Sequence, residues 1–337
     1  MKITPCRPKK LPLRFLDWKQ FVDVLGKAHR ILAQYEGVIK SVEHPKRLFA
    51  LLSIQEALAS LEAEPNASSV EDVLSKEKFS LQTAVFSYQK ALAFVQHYPQ
   101  ERPISCAFLC RLHRIIKKGA AESGKIRKRQ NWIGPEGKGM SYAYFLPPSV
   151  SHIPNSLGNL KKYVSYPEKD VLVQLAIFFA QLLIIHPFMD GNGRLARVLV
   201  PFFLYKKKLL SSPLFYLSLY FKKHRLEYFE RLFAITKEND WEGWIRFFLK
   251  GIIEEGRSLI DTALKIRSHF QQLLKEIKLS DKERKYLEYL FSSPIMKKER
   301  WEILKRLCKK LEILEEKGWV FTHKKYMMLS FLHKIMH

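Results

Sequence analysis

Fifteen consecutive residues, Val171–Ile185, are apolar apart from Gln174 and Gln181. As a helix this run spans about 22 Å, short of the roughly 30 Å hydrocarbon core of a bilayer. It predicts a helix buried on every side, and such a helix folds only if others wrap around it. Pro187 follows at once and cannot continue the helical ladder, so the chain must turn there.

Periodicity supplies the wrapping helices. Phe21, Val24, Leu25, Ala28 and Leu32 repeat at helical spacing within Phe15–Val42. Arg47–Glu64, Ala84–Gln96, Ser105–Lys118, Ile153–Val164, Arg194–Tyr205, His224–Lys237 and Trp241–Phe270 read as further helices. Asn66–Ser69 reads as a turn, with Ser69 and Asp72 capping the helix after it. Gly119–Pro148 breaks the pattern. There the extended pieces Gln130–Ile133 and Tyr142–Leu146 flank a Gly-rich turn, the signature of a hairpin. A linker near Lys278–Asp281 leads to a last module, Leu279–His337, with helical stretches at Asp281–Phe291 and Lys297–Lys317 before a Gly318–Leu329 segment marked by Trp319, Phe321 and Tyr326. The expected fold is mostly α with one β-hairpin.

Composition narrows the class. The chain has 337 residues, 47% of them hydrophobic and 27% charged, the profile of a globular protein with one large core and room for a smaller module. The N-terminus MKITPCRPKKLPLRF is basic with no apolar run behind it, so no secretory signal is expected. Four scattered cysteines suit a reducing compartment, here the cytoplasm. Cys106, Cys110 and His113 would share a helix face, but no fourth ligand is near and a packed face is the simpler reading. The net charge of +25 favours acidic partners. It is spread evenly, however: Leu279–His337 holds 14 Lys and Arg against 8 Asp and Glu. No membrane partner is expected.

Residues 186–197 read HPFMDGNGRLAR. The buried helix delivers His186, whose imidazole titrates near neutrality and is the natural base of the loop. Gly191, Asn192 and Gly193 tolerate the left-handed backbone of a tight loop. Arg194 opens a helix whose N-terminus favours phosphate, and Arg197 lies on the same side one turn on. Asp190 offers a hard oxygen to Mg²⁺ beside that anion site.

This loop resembles the signature of the Fic family, His-x-Phe-x-Asp/Glu-Gly-Asn-Gly-Arg-x-x-Arg, at all eight specified positions. QNWIG (130–134) and FLPP (145–148) resemble the two arms of the family's flap, and Gly124 with Arg127 the element leading into it. LFYLSLY (214–220), Arg225–Tyr228 and DWEGWIRFFL (240–249) resemble the helices after the motif, so that roughly Leu11–Ile266 is covered. The resemblance implies a Fic-like helical bundle that transfers AMP from Mg²⁺-ATP to Tyr, Thr or Ser hydroxyls of target proteins and of itself. His186 would deprotonate the hydroxyl, Phe188 would anchor the loop and Asp190 would hold Mg²⁺. Gly191, Asn192, Gly193, Arg194 and Arg197 would bind the phosphates, with Asn192 on the α-phosphate and Arg197 on the γ-phosphate. Asn131, Trp132, Ile133, Phe145 and Leu146 would align the target by strand addition, and Tyr216 and Tyr220 are candidates for the adenine pocket. A related subgroup with Lys in place of the second glycine transfers phosphate, so Gly193 favours AMP. The alternatives are transfer of another nucleotide or phosphate-linked group, or a DNA-binding regulator with an idle nucleotide site.

Family members often block this site with a helix carrying Ser/Thr-x-x-x-Glu-Gly/Asn, and Ser60 and Glu64 resemble that pattern. Glu64 would pair bidentately with Arg197 and take the place of the γ-phosphate. Pro65 departs from the pattern; proline disfavours helical angles at the residue before it, which would displace Glu64. The resemblance thus divides the chain into an N-terminal helical region, 1–100, with the inhibitory helix at about 53–64; a catalytic core, 101–270, with flap 130–148 and motif 186–197; and a winged-helix-like module, 279–337. The module's helices would serve packing or a homodimer, with DNA the lesser partner.

Overall fold

Asp170 starts the central helix. Its carboxylate accepts the backbone N–H groups of Leu172 and Val173 at 2.8 and 3.2 Å, capping two donors that would otherwise lack partners. The computed structural model describes residues 4–41, 45–64, 80–135, 137–277, 280, 283, 285–286, 289, 295–308, 311–316, 320–323 and 326–329. Its helices in chain order are α1 (Val22–Lys40), α2 (Pro45–Glu62), α3 (Ser80–Gln96), α4 (Cys106–Ile116), α5 (Ile153–Val164), α6 (Val171–Ile185), α7 (Asn192–Lys206), α8 (Ser218–Lys223), α9 (Arg225–Glu238), α10 (Trp241–Ile277), α11 (Lys298–Leu307) and α12 (Glu312–Glu316). Three 3₁₀ turns (Trp18–Gln20, Met140–Tyr142 and Val150–His152) and three short strands, β1 (Ile295–Lys297), β2 (Val320–His323) and β3 (Tyr326–Leu329), complete the described elements. The fold is mostly α, as the periodicity predicts, and no described helix is long and apolar enough to cross a membrane.

The chain forms two compact units, residues 1–36 with 56–257 and residues 37–55 with 258–337. In the first, α6 is the core: every residue from Leu172 to Ile185 is buried, including both glutamines. Gln174 donates to the carbonyls of Tyr163 and Tyr166, and Gln181 to that of Lys9, so the two polar groups of the run bond to backbone at its edge. The aromatics of α10 pack on it. Trp244 is fully buried, lies near-parallel to Phe179 at 5.9 Å, and donates its indole N–H to the Ala176 carbonyl at 2.8 Å.

Four expectations change. Helix α7 begins at Asn192 rather than Arg194, and α10 runs to Ile277, past Phe270. The resemblance implies a helix at 214–220, but only the six residues Ser218–Lys223 are helical, too few for periodicity to show, and they follow the buried stretch 214–217. The two arms of the Gly-rich segment meet at a single antiparallel bridge, Ile133 with Phe145, not along a hairpin ladder, because a 3₁₀ turn at Met140–Tyr142 consumes the start of the second arm. The Ser69–Asp72 cap, Pro65, Gly318, Trp319 and most of the Lys278–Asp281 linker lie outside the described residues.

The second unit contains an antiparallel sheet of order β1-β3-β2, with Phe321 opposite Met328 and His323 opposite Tyr326. Trp301, Leu304, Cys308, Leu311 and Leu314 are buried there, and the Trp301 indole donates to Glu315 at 2.7 Å.

Replacing Trp244 with Phe keeps most of the buried area but removes the indole donor. The substitution is expected to cost about 1–2 kcal/mol of unfolding free energy, read as a lower urea midpoint at unchanged slope.

Candidate functional site

Helix α6 ends because its C-cap, His186, adopts the left-handed conformation, φ 49° and ψ 59°. Few non-glycine residues do so, and here the ring and carbonyl are both held. The His186 N–H still closes on the Leu182 carbonyl at 3.1 Å, and Arg127 Nε donates to the His186 carbonyl at 2.9 Å. The imidazole Nδ1 lies 3.2 Å from the Leu183 carbonyl. A carbonyl only accepts, so Nδ1 carries the proton and Nε2 keeps its lone pair. Burial lowers the ring's pKa to about 4, with the Arg127 charge adding to the effect, so the imidazole is neutral at pH 7. It lines a cleft of about 310 Å³.

The loop from 187 to 191 is closed by one amide. Asn192 Oδ1 accepts the Phe188 N–H at 3.0 Å while its Nδ2 donates to the Phe188 carbonyl at 2.8 Å. Asn131 Nδ2 donates to the same carbonyl at 3.0 Å. Phe188 is fully buried and stacks on His113, centroids 3.9 Å apart and planes 3° apart. His113 accepts the Gly124 N–H at Nδ1, so its Nε2 donates to the Asp190 carbonyl at 2.8 Å. This histidine is a loop brace, not a metal ligand, and no cluster of three or more metal-binding side chains occurs among the described residues. Burial holds it neutral.

Gly191 takes φ 81° and starts α7 with no side-chain cap. The first N–H groups of that helix therefore lack a partner within it and face the cleft wall formed by residues 191–194. Asn192 and Gly193 belong to the helix, so neither supplies the left-handed backbone expected of them. What position 193 requires is space: a Cβ there would come 2.9 Å from Arg197 and 3.0 Å from the Glu64 carboxylate.

Asp190 is open to solvent, its side chain 61% exposed. Oδ1 accepts the Gly191 N–H at 2.6 Å; Oδ2 is held by the Lys117 ammonium and lies 3.5 Å from Arg194. Partial enclosure opposes ionisation, but the Lys117 hydrogen bond and the Arg194 and Lys117 charges outweigh it and keep the carboxyl below its ordinary pKa. One ionised oxygen donor at the rim of an anion site fits Mg²⁺, which takes most of its ligands from water and phosphate rather than from a protein cage.

Arg197 is 2% exposed. Its Nε donates to Ser60 Oγ at 2.8 Å, and its terminal nitrogen donates to the Ser60 carbonyl at 2.7 Å and to Glu64 Oε1. Arg194 Nε lies 3.8 Å from the same oxygen. Glu64 thus meets Arg197 through one oxygen, not bidentately, because Ser60 occupies the other edge of the guanidinium. The carboxylate is not displaced. Helix α2 ends at Glu62, the last turn tightens, and Arg225 clamps the Glu64 carbonyl at 2.8 Å. Two turns back on the same helix, Glu56 is buried against the Tyr88 hydroxyl and both the N–H and hydroxyl of Ser218. Burial pushes its carboxyl up to about 7.

The remaining cleft wall comes from Trp132, Ile133 and Phe145 of the two arms and from Tyr228, Phe229, Leu232 and Phe233 of α9. Trp132 is exposed, whereas Asn131 faces the loop and Leu146 is buried with its carbonyl bonded to the Cys6 N–H. Tyr216 and Tyr220 are in the core. Neither lines the cleft, and Tyr220 packs on Phe247, Phe221 and His224 instead. Phe229, Leu232 and Phe233 give α9 an apolar face at helical spacing, the signal that could have pointed to this wall.

Residues 103–204 match the Fic/DOC family, and residues 22–98 match the Fic/DOC family N-terminal region. A protein adenylyltransferase, fic-1, of Caenorhabditis briggsae is 29% identical over 106 residues; the match covers 30% of this chain and 19% of that protein's length. Among solved structures, a Fic family protein from Desulfovibrio desulfuricans superposes with a TM-score of 0.62 at 16% identity, covering 94% of this chain and 98% of that one. A Fic domain containing signaling protein from Bacteroides thetaiotaomicron gives 0.57 at 18% identity, over 71% and 97%. At these identities the likeness shows the fold. With the eight-position loop closed on itself as described, and two adjoining stretches matching the family's two parts, the chain belongs to the Fic/DOC family.

Proposed function

We propose that this protein transfers AMP from ATP to hydroxyl side chains of target proteins, and that Glu64 restrains it. The observation that carries the reading is the neutral His186 imidazole, its Nε2 lone pair free, in the same cleft as the open start of α7 and two arginines. The relative named a protein adenylyltransferase supports the choice of group transferred.

The residues divide the work. His186 Nε2 takes the proton of the target hydroxyl as its oxygen bonds to the α-phosphorus and the bond to the β-phosphate breaks, releasing pyrophosphate. The N–H groups at the start of α7 and the side chain of Arg194 hold phosphate oxygens, while Asn192, its amide spent on Phe188, contributes loop shape rather than a side-chain contact. Asp190 would hold Mg²⁺, whose charge would neutralise the phosphates. Ile133 and the exposed Trp132 present the edge to which an extended target segment adds. The apolar wall of α9 is suited to the adenine ring.

Glu64 sets the restraint. Its carboxylate occupies Arg197 and stands against Gly193 and Arg194, where the terminal phosphate of ATP would otherwise find its counter-charge. An anion already on Arg197 must be displaced or must misalign the nucleotide.

Replacing Glu64 with Gly is expected to raise self-modification by labelled ATP by about tenfold, in the range of coupling between linked sites. Glu64→Gly combined with His186→Ala should be inactive. A Glu64→Gly protein no faster than wild type, with His186→Ala still dead, would remove the restraint from the reading. The same assay with labelled UTP and GTP checks the nucleotide. Independently, ¹⁵N–¹³C NMR should show the His186 ring neutral down to below pH 5, while an exposed ring charges near 6.5. An ordinary titration of His186 would show that it is not held as described.

A further inference from the structure

Asp190 Oδ2 already has a cation. The Lys117 ammonium sits on it, the Arg194 guanidinium is 3.5 Å away, and Oδ1 is bonded to the Gly191 N–H. Lys117 is the C-cap of α4, its N–H closing on the His113 carbonyl at 2.9 Å, so its backbone is fixed beside the loop. Its stem passes Gly191 closely: a Cβ at that glycine would lie 3.1 Å from Lys117 Cγ and Cδ. The missing side chain at 191 is what lets the lysine through. The ammonium ends a flexible stem; the Lys117 side chain is 22% exposed, whereas that of Arg194 is more enclosed at 12%.

We propose that Lys117 is a built-in cation of this site, holding Asp190 Oδ2 in the place of the divalent ion and leaving it when that ion binds. The inference rests on the reading of Asp190 as the Mg²⁺ ligand. Mg²⁺ needs an oxygen lone pair at about 2.0–2.1 Å in near-octahedral geometry, and an ammonium in contact with the same oxygen both blocks that approach and repels the ion. Of the two cations on Oδ2, the lysine is the one with room to swing. Displaced, it remains beside the start of α7 as a mobile positive charge for phosphate oxygens. The lysine therefore opposes the metal in the empty cleft and assists the nucleotide in the filled one. Metal binding without ATP is weak by construction, and the metal enters most readily with its phosphates.

The test uses the full chain with Mn²⁺ as the probe and no nucleotide, free Mn²⁺ being counted by its EPR signal. Lys117→Met is expected to bind Mn²⁺ about thirtyfold more tightly than wild type, the change that removing a unit charge at about 4 Å from a divalent ion brings in a water-like medium. Lys117→Arg keeps the charge and should stay at the wild-type affinity. Asp190→Asn should lose the binding in either background. If Lys117→Met does not fold, Lys117→Gln is read in its place. Unchanged affinity in Lys117→Met, or equal tightening in Lys117→Arg, would overturn the proposal and leave the lysine a staple between α4 and the loop. Mn²⁺ binding that survives Asp190→Asn would instead overturn the metal reading itself.

Discussion

One side chain sets the shape of the site. Asn192 spends both halves of its amide on the backbone of Phe188, and this reciprocal pair closes the loop between α6 and α7 into a fixed ring. Everything chemical is referred to that ring. Phe188 can be buried against His113 only because its polar backbone is already satisfied, and His113 in turn holds the Asp190 carbonyl. His186 enters the ring from one helix and Arg194 leaves it on another, so the distance between the imidazole and the start of α7 is set by a few covalent links rather than by a long path through the core.

The second constraint acts across the sequence. Glu64 is held from three directions, by Arg197 and Arg194 at its carboxylate and by Arg225 at its carbonyl. Lys222 pairs with Glu62 just before it. Four cations around the end of one helix would repel one another without these acids, so α2 supplies the charge that lets the arginines gather in a poorly hydrated place. The buried Glu56, bonded to the start of α8, fixes how far along its axis the helix lies, and hence where Glu64 arrives.

Much of this was legible in the residues. The apolar run gave α6 to the residue, since no other arrangement hides thirteen apolar side chains with only two glutamines among them, and Pro187 gave its end. The loop 186–197 marked out the family by residue type and spacing. Geometry that depends on partners far away in the chain was not legible. Nothing local says that Asn192 faces inward to Phe188 rather than outward to a ligand, or that His113 and Lys117 on α4 come to rest on Asp190. The first is a choice between side-chain orientations within four residues of chain; the second arises from the packing of α4 against a loop more than seventy residues on. Tyr216 and Tyr220 illustrate the converse: aromatic residues close to the motif in sequence look available, but the turn at α8 sends them into the core and brings α9 to the cleft instead. Glu64 stayed in place where Pro65 suggested it would not, because Arg225 reaches its backbone from outside the helix.

The lack of a side chain at position 193 has a consequence of its own. With Arg197 and the Glu64 carboxylate both closer than van der Waals contact distance to where a Cβ would stand, that small volume is a shared berth. An acid lent by α2 can fill it, or an added side chain can, but not both. Any change that enlarges residue 193 would therefore unseat the segment that follows α2 as well as alter the start of α7, and a chain of this design could not exchange one kind of occupancy for the other without changing how the two are coupled.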